Sequence, residues 1–219
     1  METPRVTIFA GRFGSGKTNL AANYALLLAR DRAVALLDMD VCNPMFRMHD
    51  LKELFDRRGI SFASPRYAGT NVDMPALSPE MGGLLAGGDK TVVVDVGGDD
   101  AGAVALGGYA ARIEKSGYDM LFVFNRFRPF TATAEDALGQ LRAIEAASRL
   151  KFTKLACNHN LGRATTESDI EGSLRYGKEL SELSGLPVAF EAFDRRLSPI
   201  VPPGLAFPID ILLKRSFDN

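Results

Sequence analysis

The chain has 219 residues, 46% hydrophobic and 24% charged, a balance that closes a core and excludes a disordered polymer. Its 26 Lys and Arg against 27 Asp and Glu give a formal net charge of -1, which excludes a global basic field for nucleic acid or an anionic membrane. Cys42 and Cys157 lie far apart, without paired metal spacing; with no export-type N-terminus and no apolar run of about 20 residues, the reading is a soluble, cytoplasmic protein of one domain over 1–219.

Val6 to Ala10 is short, β-branched and apolar, the pattern of a strand buried on both faces, and a glycine-rich stretch ends it. Leu20, Ala21, Tyr24, Leu27 and Leu28 then recur at helical spacing within Lys17 to Arg30. A second strand is expected at Ala33 to Leu37, stopping at Asp38, then a short helix at Leu51 to Arg58 with Gly59 as its stop, and a strand at Ile60 to Ala63. The Pro- and Gly-rich stretch from Ser64 to Asp89 leaves room for one helix near Ser78 to Leu85. Three consecutive valines mark a strand at Thr91 to Val96, followed by a helix from Ala101 to Lys115 and a strand at Met120 to Phe124.

Thr133 with Asp136 resembles a capping box and opens a helix reaching about Leu150. A strand at Lys154 to Cys157, a helix at Glu167 to Leu183 opened by Thr165 or Thr166, and a strand at Pro187 to Phe190 complete the series. Apolar strands alternating with helices predict an α/β domain of three layers, α/β/α, around a mostly parallel sheet.

Gly11-Arg12-Phe13-Gly14-Ser15-Gly16-Lys17-Thr18 matches the phosphate-loop pattern, between a buried strand and a helix as that motif requires. The glycines let the backbone curl so that its N–H groups converge on an anion, and the next helix adds the positive end of its dipole. Lys17 is expected at the β and γ phosphates, with the Thr18 hydroxyl on Mg2+ and Asn19 next to it in the helix. Asp95 follows Val92-Val93-Val94 at a strand end, where an acid holds Mg2+, and Gly97 and Gly98 let the backbone approach the γ phosphate. Asp38 and Asp40 end the second strand, at the carboxyl edge where open α/β sheets bind ligands. A fold of the P-loop NTPase kind, binding ATP with Mg2+, is the expectation.

The loop, the Leu-Leu-Asp38-Met-Asp40 strand end and the Asp95-Val96-Gly97-Gly98 segment together resemble the ParA/Min-type ATPases, a deviant Walker A branch of the SIMIBI class that includes nickel-insertion ATPases. In that family a first loop lysine crosses a dimer to the partner's nucleotide; here Arg12 stands at that position, and Phe13 replaces the first of the usual paired glycines. The resemblance implies that Asp40 orients the attacking water, that Asp38 lies near Mg2+, and that Asn158 reads the adenine edge, with Asn160 as a competing candidate. Phe193 and Asp194, in a loop expected after Phe190, are placed near the base. Arg12 either completes a partner's site in trans or binds a surface acid.

Cys42 to Arg47 would follow the switch acids, with Phe46 and Arg47 as an interface-type pair or a plain loop. His49 and His159 lack zinc spacing, and Arg126, Arg128 and Pro129 make a small basic cluster at a strand end. The tail from Ile209 to Phe217 is faintly amphipathic, with docking on the core preferred to a membrane. Together with the phosphate loop and the strand-end acids, the resemblance implies a slow, Mg2+-dependent ATPase that switches by ATP-dependent homodimerisation and acts on a protein, DNA or metallocentre partner. An ATP-dependent ligase of the dethiobiotin-synthetase type, or a module that binds nucleotide without hydrolysis, are the alternatives.

Overall fold

The computed structural model describes residues 4–40, 48–64, 79–197 and 199–213. Eight strands follow in chain order: β1 Val6–Ala10, β2 Val34–Met39, β3 Ser61–Ala63, β4 Thr91–Val96, β5 Tyr118–Phe124, β6 Lys154–Cys157, β7 Val188–Asp194 and β8 Ala206–Ile209. They form one sheet in the order β3-β2-β4-β1-β5-β6-β7-β8, and every pairing is parallel. Between them run α1 Lys17–Leu28, α2 Lys52–Arg57, α3 Pro79–Ala86, α4 Asp100–Gly107, α5 Ala110–Ser116, α6 Ala134–Ser148 and α7 Glu167–Ser184.

Side chains along each strand point alternately to opposite faces. Ile8, Leu37, Val94 and Phe122 enter one apolar core, together with Met81, Leu106, Leu141 and Leu180 from the helices on that side. Their neighbours Phe9, Leu36, Val93 and Val123 enter a second core, with Leu20 and Ala25 of α1 and Phe55 of α2. Both faces of the sheet are therefore covered, which is the three-layer α/β/α arrangement, and it explains why the strands read as continuous apolar runs.

Several boundaries differ from the sequence expectation. The helix expected over Ala101 to Lys115 is two helices, broken at Gly108 and Tyr109. A side chain on Gly107 would press within 3.0 Å of the Ala147 carbonyl oxygen, so α4 crosses α6 where only backbone fits. β2 carries on through Asp38 to Met39, because parallel pairing with β4 extends to Met39 opposite Val96. β7 runs on to Asp194, so Phe193 and Asp194 belong to a strand rather than a loop. β8 was not expected; it pairs with β7 and buries Ile209, the first residue of the tail expected to dock on the core. The segment Cys42 to Arg47 and the tail beyond 213 lie outside the described residues.

Candidate functional site

Strand β1 lies in the middle of the sheet, between β4 and β5, so the turn leaving its carboxyl end emerges where the loops after β2, β4 and β5 also gather. This is the crevice in which open α/β sheets bind ligands. Gly16 occupies the N-cap position of α1 in a left-handed conformation, φ 90, which a side chain would strain. A Cβ there would also collide with the Asn158 amide nitrogen. Ser15 N–H donates to the Arg12 carbonyl at 3.1 Å and closes the loop on itself. Phe13 needs no glycine-like freedom: Arg149 is the one described non-glycine residue with positive φ. The Phe13 side chain points out, 63% exposed.

Gly98, from the turn after β4, closes the other side of the loop. A Cβ on it would come within 2.6 Å of the Phe13 nitrogen and 3.1 Å of Lys17 Nζ, so backbone lies against backbone at this point. The neighbouring Gly97 is approached by Asp40 Oδ1 and by Asp99, whose carboxylate caps α4 through the Gly102 N–H at 2.9 Å. The loop of residues 11–18, the end of β2 and the turn after β4 thus form one wall.

The charges at this wall are unusual. Asp38 and Asp95 stand in register on β2 and β4. Asp95 is fully buried, and neither of its oxygens has a hydrogen-bond partner at ordinary geometry, although the Thr18 hydroxyl lies close enough to favour the charged form. Burial pushes Asp95 up to about 8, against the pull of the Lys17 ammonium and with Asp38 adding to the rise. Burial likewise raises Asp38 to about 6, opposed by the Asp40 N–H that donates to its Oδ1 at 2.9 Å. Lys17 is buried, which lowers its pKa, while Asp95, Asp40 and Asp99 hold the ammonium charged. Its bond to the Arg12 carbonyl is long, at 3.5 Å. An ammonium, a nest of N–H groups and two desolvated carboxylates form an arrangement suited to a polyphosphate with a divalent cation. Among the described residues no group of three or more His, Cys, Asp or Glu could hold a metal by itself.

No family model and no curated protein matches the chain. Solved structures do match its fold. The 54 kDa signal recognition particle protein of Aeropyrum pernix K1, solved in complex with GDP, superposes with a TM-score of 0.55 at 20% identity, over 86% of this chain and 41% of that one. FtsY of Thermotoga maritima gives 0.57 at 20% identity, over 90% and 62%. Chloroplast FtsY of Physcomitrella patens gives 0.54 at 16%, over 87% and 58%. The chain spans less than two thirds of each, and at these identities the likeness establishes an α/β fold of the P-loop NTPase kind.

The remaining expected site residues fall around this wall in different ways. Arg12 reaches sideways, its Nη1 3.5 Å from Asp100 Oδ1 at the start of α4 and its guanidinium 5.0 Å from the Phe130 ring centre. Within one chain it binds a surface acid, the second of the two expected outcomes. Asn158 donates from Nδ2 to the Ser15 carbonyl at 2.7 Å, so its amide nitrogen is committed to the phosphate loop, and its Oδ1 is buried without a partner. Asn160 is folded into its own turn, bonded to Gly162 N–H and approached by Thr165. Asn19 spends its side chain on the segment after β8, donating to the Asp210 carbonyl and accepting from Leu212 N–H.

Two groups were missed by sequence reasoning. Arg128 donates from Nε to the Gly14 carbonyl at 2.9 Å, bracing the loop from the far side. Its sequence signal was the basic cluster after β5, a strand that neighbours β1. Asp99 adds a carboxylate beside Lys17, and the signal was its place directly after Gly97-Gly98.

Proposed function

We propose that this chain binds a purine nucleoside triphosphate with Mg2+ on the loop of residues 11–18 and works as a nucleotide-operated switch. The observation that carries the reading is the fully buried, unpartnered Asp95 beside buried Lys17. Two carboxylates desolvated next to an ammonium are costly in an ordinary protein interior and make sense where a cation and an anion are to arrive together. Bound Mg2+ would neutralise phosphate charge, with Thr18 and Asp95 holding it and Asp38 behind them. The chain's own groups do the rest: N–H groups from Gly14 to Thr18 take the phosphate oxygens, and Lys17 Nζ exchanges its long contact for a phosphate. Asp40, beside Gly97, orients water at the open end.

ATP is the first nucleotide to test, on the resemblance to ParA/Min-type ATPases. GTP is the second, because the signal recognition particle protein and FtsY of Elizabethkingia anophelis were solved in complex with GDP. Calorimetric titration with each nucleotide, with and without Mg2+, separates them. Lys17→Ala is expected to weaken the favoured triphosphate about a hundredfold, the worth of two charge-assisted bonds. Unchanged affinity in that variant sinks the proposal.

A further inference from the structure

Two consecutive peptide groups of the phosphate loop are each held from outside by a side chain of a neighbouring loop. Arg128 Nε donates to the Gly14 carbonyl at 2.9 Å, and Asn158 Nδ2 donates to the Ser15 carbonyl at 2.7 Å. A trans peptide points its N–H opposite to its C=O, and every described peptide bond is trans. Drawing the Gly14 carbonyl to Arg128 therefore turns the Ser15 N–H the other way, where it meets the Arg12 carbonyl at 3.1 Å. Drawing the Ser15 carbonyl to Asn158 turns the Gly16 N–H away from that side chain, as a nest of N–H groups requires. Both donors also fill the space that a side chain in the loop would take. A Cβ on Gly14 would touch Arg128 Nε at 3.4 Å, and one on Gly16 would collide with the Asn158 amide.

Direct bonds fix the two donors in their turn. Arg128 N–H donates to the Asn125 carbonyl at 3.0 Å, and the Thr131 hydroxyl donates to the same oxygen at 2.7 Å. Asn125 is 1% exposed; its Oδ1 accepts from Phe127 N–H and its Nδ2 donates to the Asn160 carbonyl. The turn after β5 is thereby bound to the turn after β6. Asn158 N–H donates to the Phe124 carbonyl at 3.0 Å, one residue past the end of β6.

We propose that Arg128 and Asn158 are positioning residues that aim the Ser15 and Gly16 N–H groups of the phosphate loop, so that the anion site stands formed before a ligand arrives. The proposal deepens the nucleotide-binding reading and rests on it. It gives Asn158 a task independent of the base, and Arg128 a task independent of its charge. A loop free to turn these peptides would lose affinity to the entropy of fixing them on binding. The Asn158 bond is buried and the Arg128 bond is exposed, so the first is the stronger of the two. Removing Asn158 also leaves the Ser15 carbonyl without that donor.

The test titrates the full chain calorimetrically with inorganic tripolyphosphate, ATP and GTP, each with Mg2+, and follows the Ser15 and Gly16 amide resonances of the free protein. Asn158→Ala is expected to weaken all three compounds by a similar factor, about tenfold, leaving the ATP-to-GTP ratio unchanged. Arg128→Met removes the weaker bond and is expected to weaken all three about fivefold. Gln carries its Nε2 the same number of bonds from Cα as Arg carries Nε, so Arg128→Gln is expected to restore affinity without the charge. Lys carries the charge one atom further out, and Arg128→Lys is expected to behave like Arg128→Met. A hydrogen bond to a carbonyl polarises the N–H of the same peptide. The Ser15 amide is therefore expected to shift in Arg128→Met and to return in Arg128→Gln, and the Gly16 amide to shift in Asn158→Ala. An Asn158→Ala chain that keeps tripolyphosphate affinity while losing one base overturns the proposal. So do Arg128 variants in which Lys restores binding and Gln does not, or amides of Ser15 and Gly16 that ignore these substitutions. If the unmodified chain binds no phosphate compound at all, the function proposed above fails, and the two amides still decide the positioning role.

Discussion

At the scale of the residue, Asp95 links stability to function. Its carboxyl is raised by burial to about 8 in the folded chain, from 3.8 as the ordinary value. A group that binds its proton more tightly when folded stabilises the fold at low pH and withdraws that help as pH rises between the two values. The ligand-free protein should therefore lose stability from about pH 4 to about pH 8, by roughly 2–5 kcal/mol, with the Asp38 shift contributing at the acid end. Asp95→Asn should flatten that slope, raise the urea midpoint at pH 8, and abolish Mg2+-dependent nucleotide binding. Urea unfolding at stepped pH measures the first two effects, and calorimetry the third.

Gly98 gives a second residue-scale prediction with the opposite signature. A methyl group on it would meet the Phe13 backbone at 2.6 and 2.7 Å and Lys17 Nζ at 3.1 Å, so the loop must open. Gly98→Ala should weaken triphosphate binding by at least about tenfold, the 1.4 kcal/mol cost of displacing one good phosphate contact. The unfolding midpoint is expected to change little, because the strained atoms lie at the rim rather than in either core. Loss of the fold with the affinity would point to a structural role alone.

At the scale of the element, the same distinction separates α1 from α7. Helix α7 opens on a reciprocal capping box: Thr166 Oγ1 accepts from Asp169 N–H, and the Asp169 carboxylate accepts from Thr166 N–H at 2.9 Å. Thr166→Ala should cost about 1 kcal/mol of stability and leave triphosphate affinity unchanged, read by urea unfolding and by titration. In the sequence that helix start was legible only as Thr165 or Thr166, whereas β4 and β6 were legible with both boundaries, because β-branched and apolar runs bounded by turn residues have few other folds open to them. The break at Gly108 and Tyr109 was not readable. The close packing of Gly107 on the carbonyl of Ala147, forty residues away in the chain, was not readable either, since local periodicity carries no trace of it. β8 escaped for a similar reason: Ala206–Ile209 is a strand because the edge of β7 is there to pair with.

The site was legible to different depths. The loop of residues 11–18, Asp38 and Asp95 follow from local pattern, since each lies at or one residue before the carboxyl end of a buried strand on the same edge of the sheet. What Asn158 and Asn19 bond to does not follow. Their partners, Ser15 and the segment 210–212, are set by which loops the fold brings alongside the phosphate loop and α1.

At the scale of the whole molecule, the open question is how nucleotide would change assembly, and Arg12 is the residue to ask. Within one chain its guanidinium is shared between Asp100, itself 87% exposed, and the face of Phe130. An exposed ion pair is worth at most about 1 kcal/mol, and the ring contact a similar amount, so this latch is weak enough to be exchanged for a partner's triphosphate. The exposed Phe13 and Phe130 rings, 63% and 56% accessible, lie at the same rim and would be covered in a two-fold pairing of phosphate loops. Light scattering with a slowly hydrolysed ATP analogue is therefore expected to show a doubling of mass, lost in Arg12→Ala while monomer affinity falls by no more than a few-fold. Asp100→Ala removes the ion pair from both chains and should shift dimerisation to as much as about thirtyfold lower protein concentration, since about 1 kcal/mol per chain, counted twice in a dimer, no longer has to be given up to free Arg12. Dimerisation that is indifferent to both substitutions would assign Arg12 to the surface of a single chain and remove it from the switch.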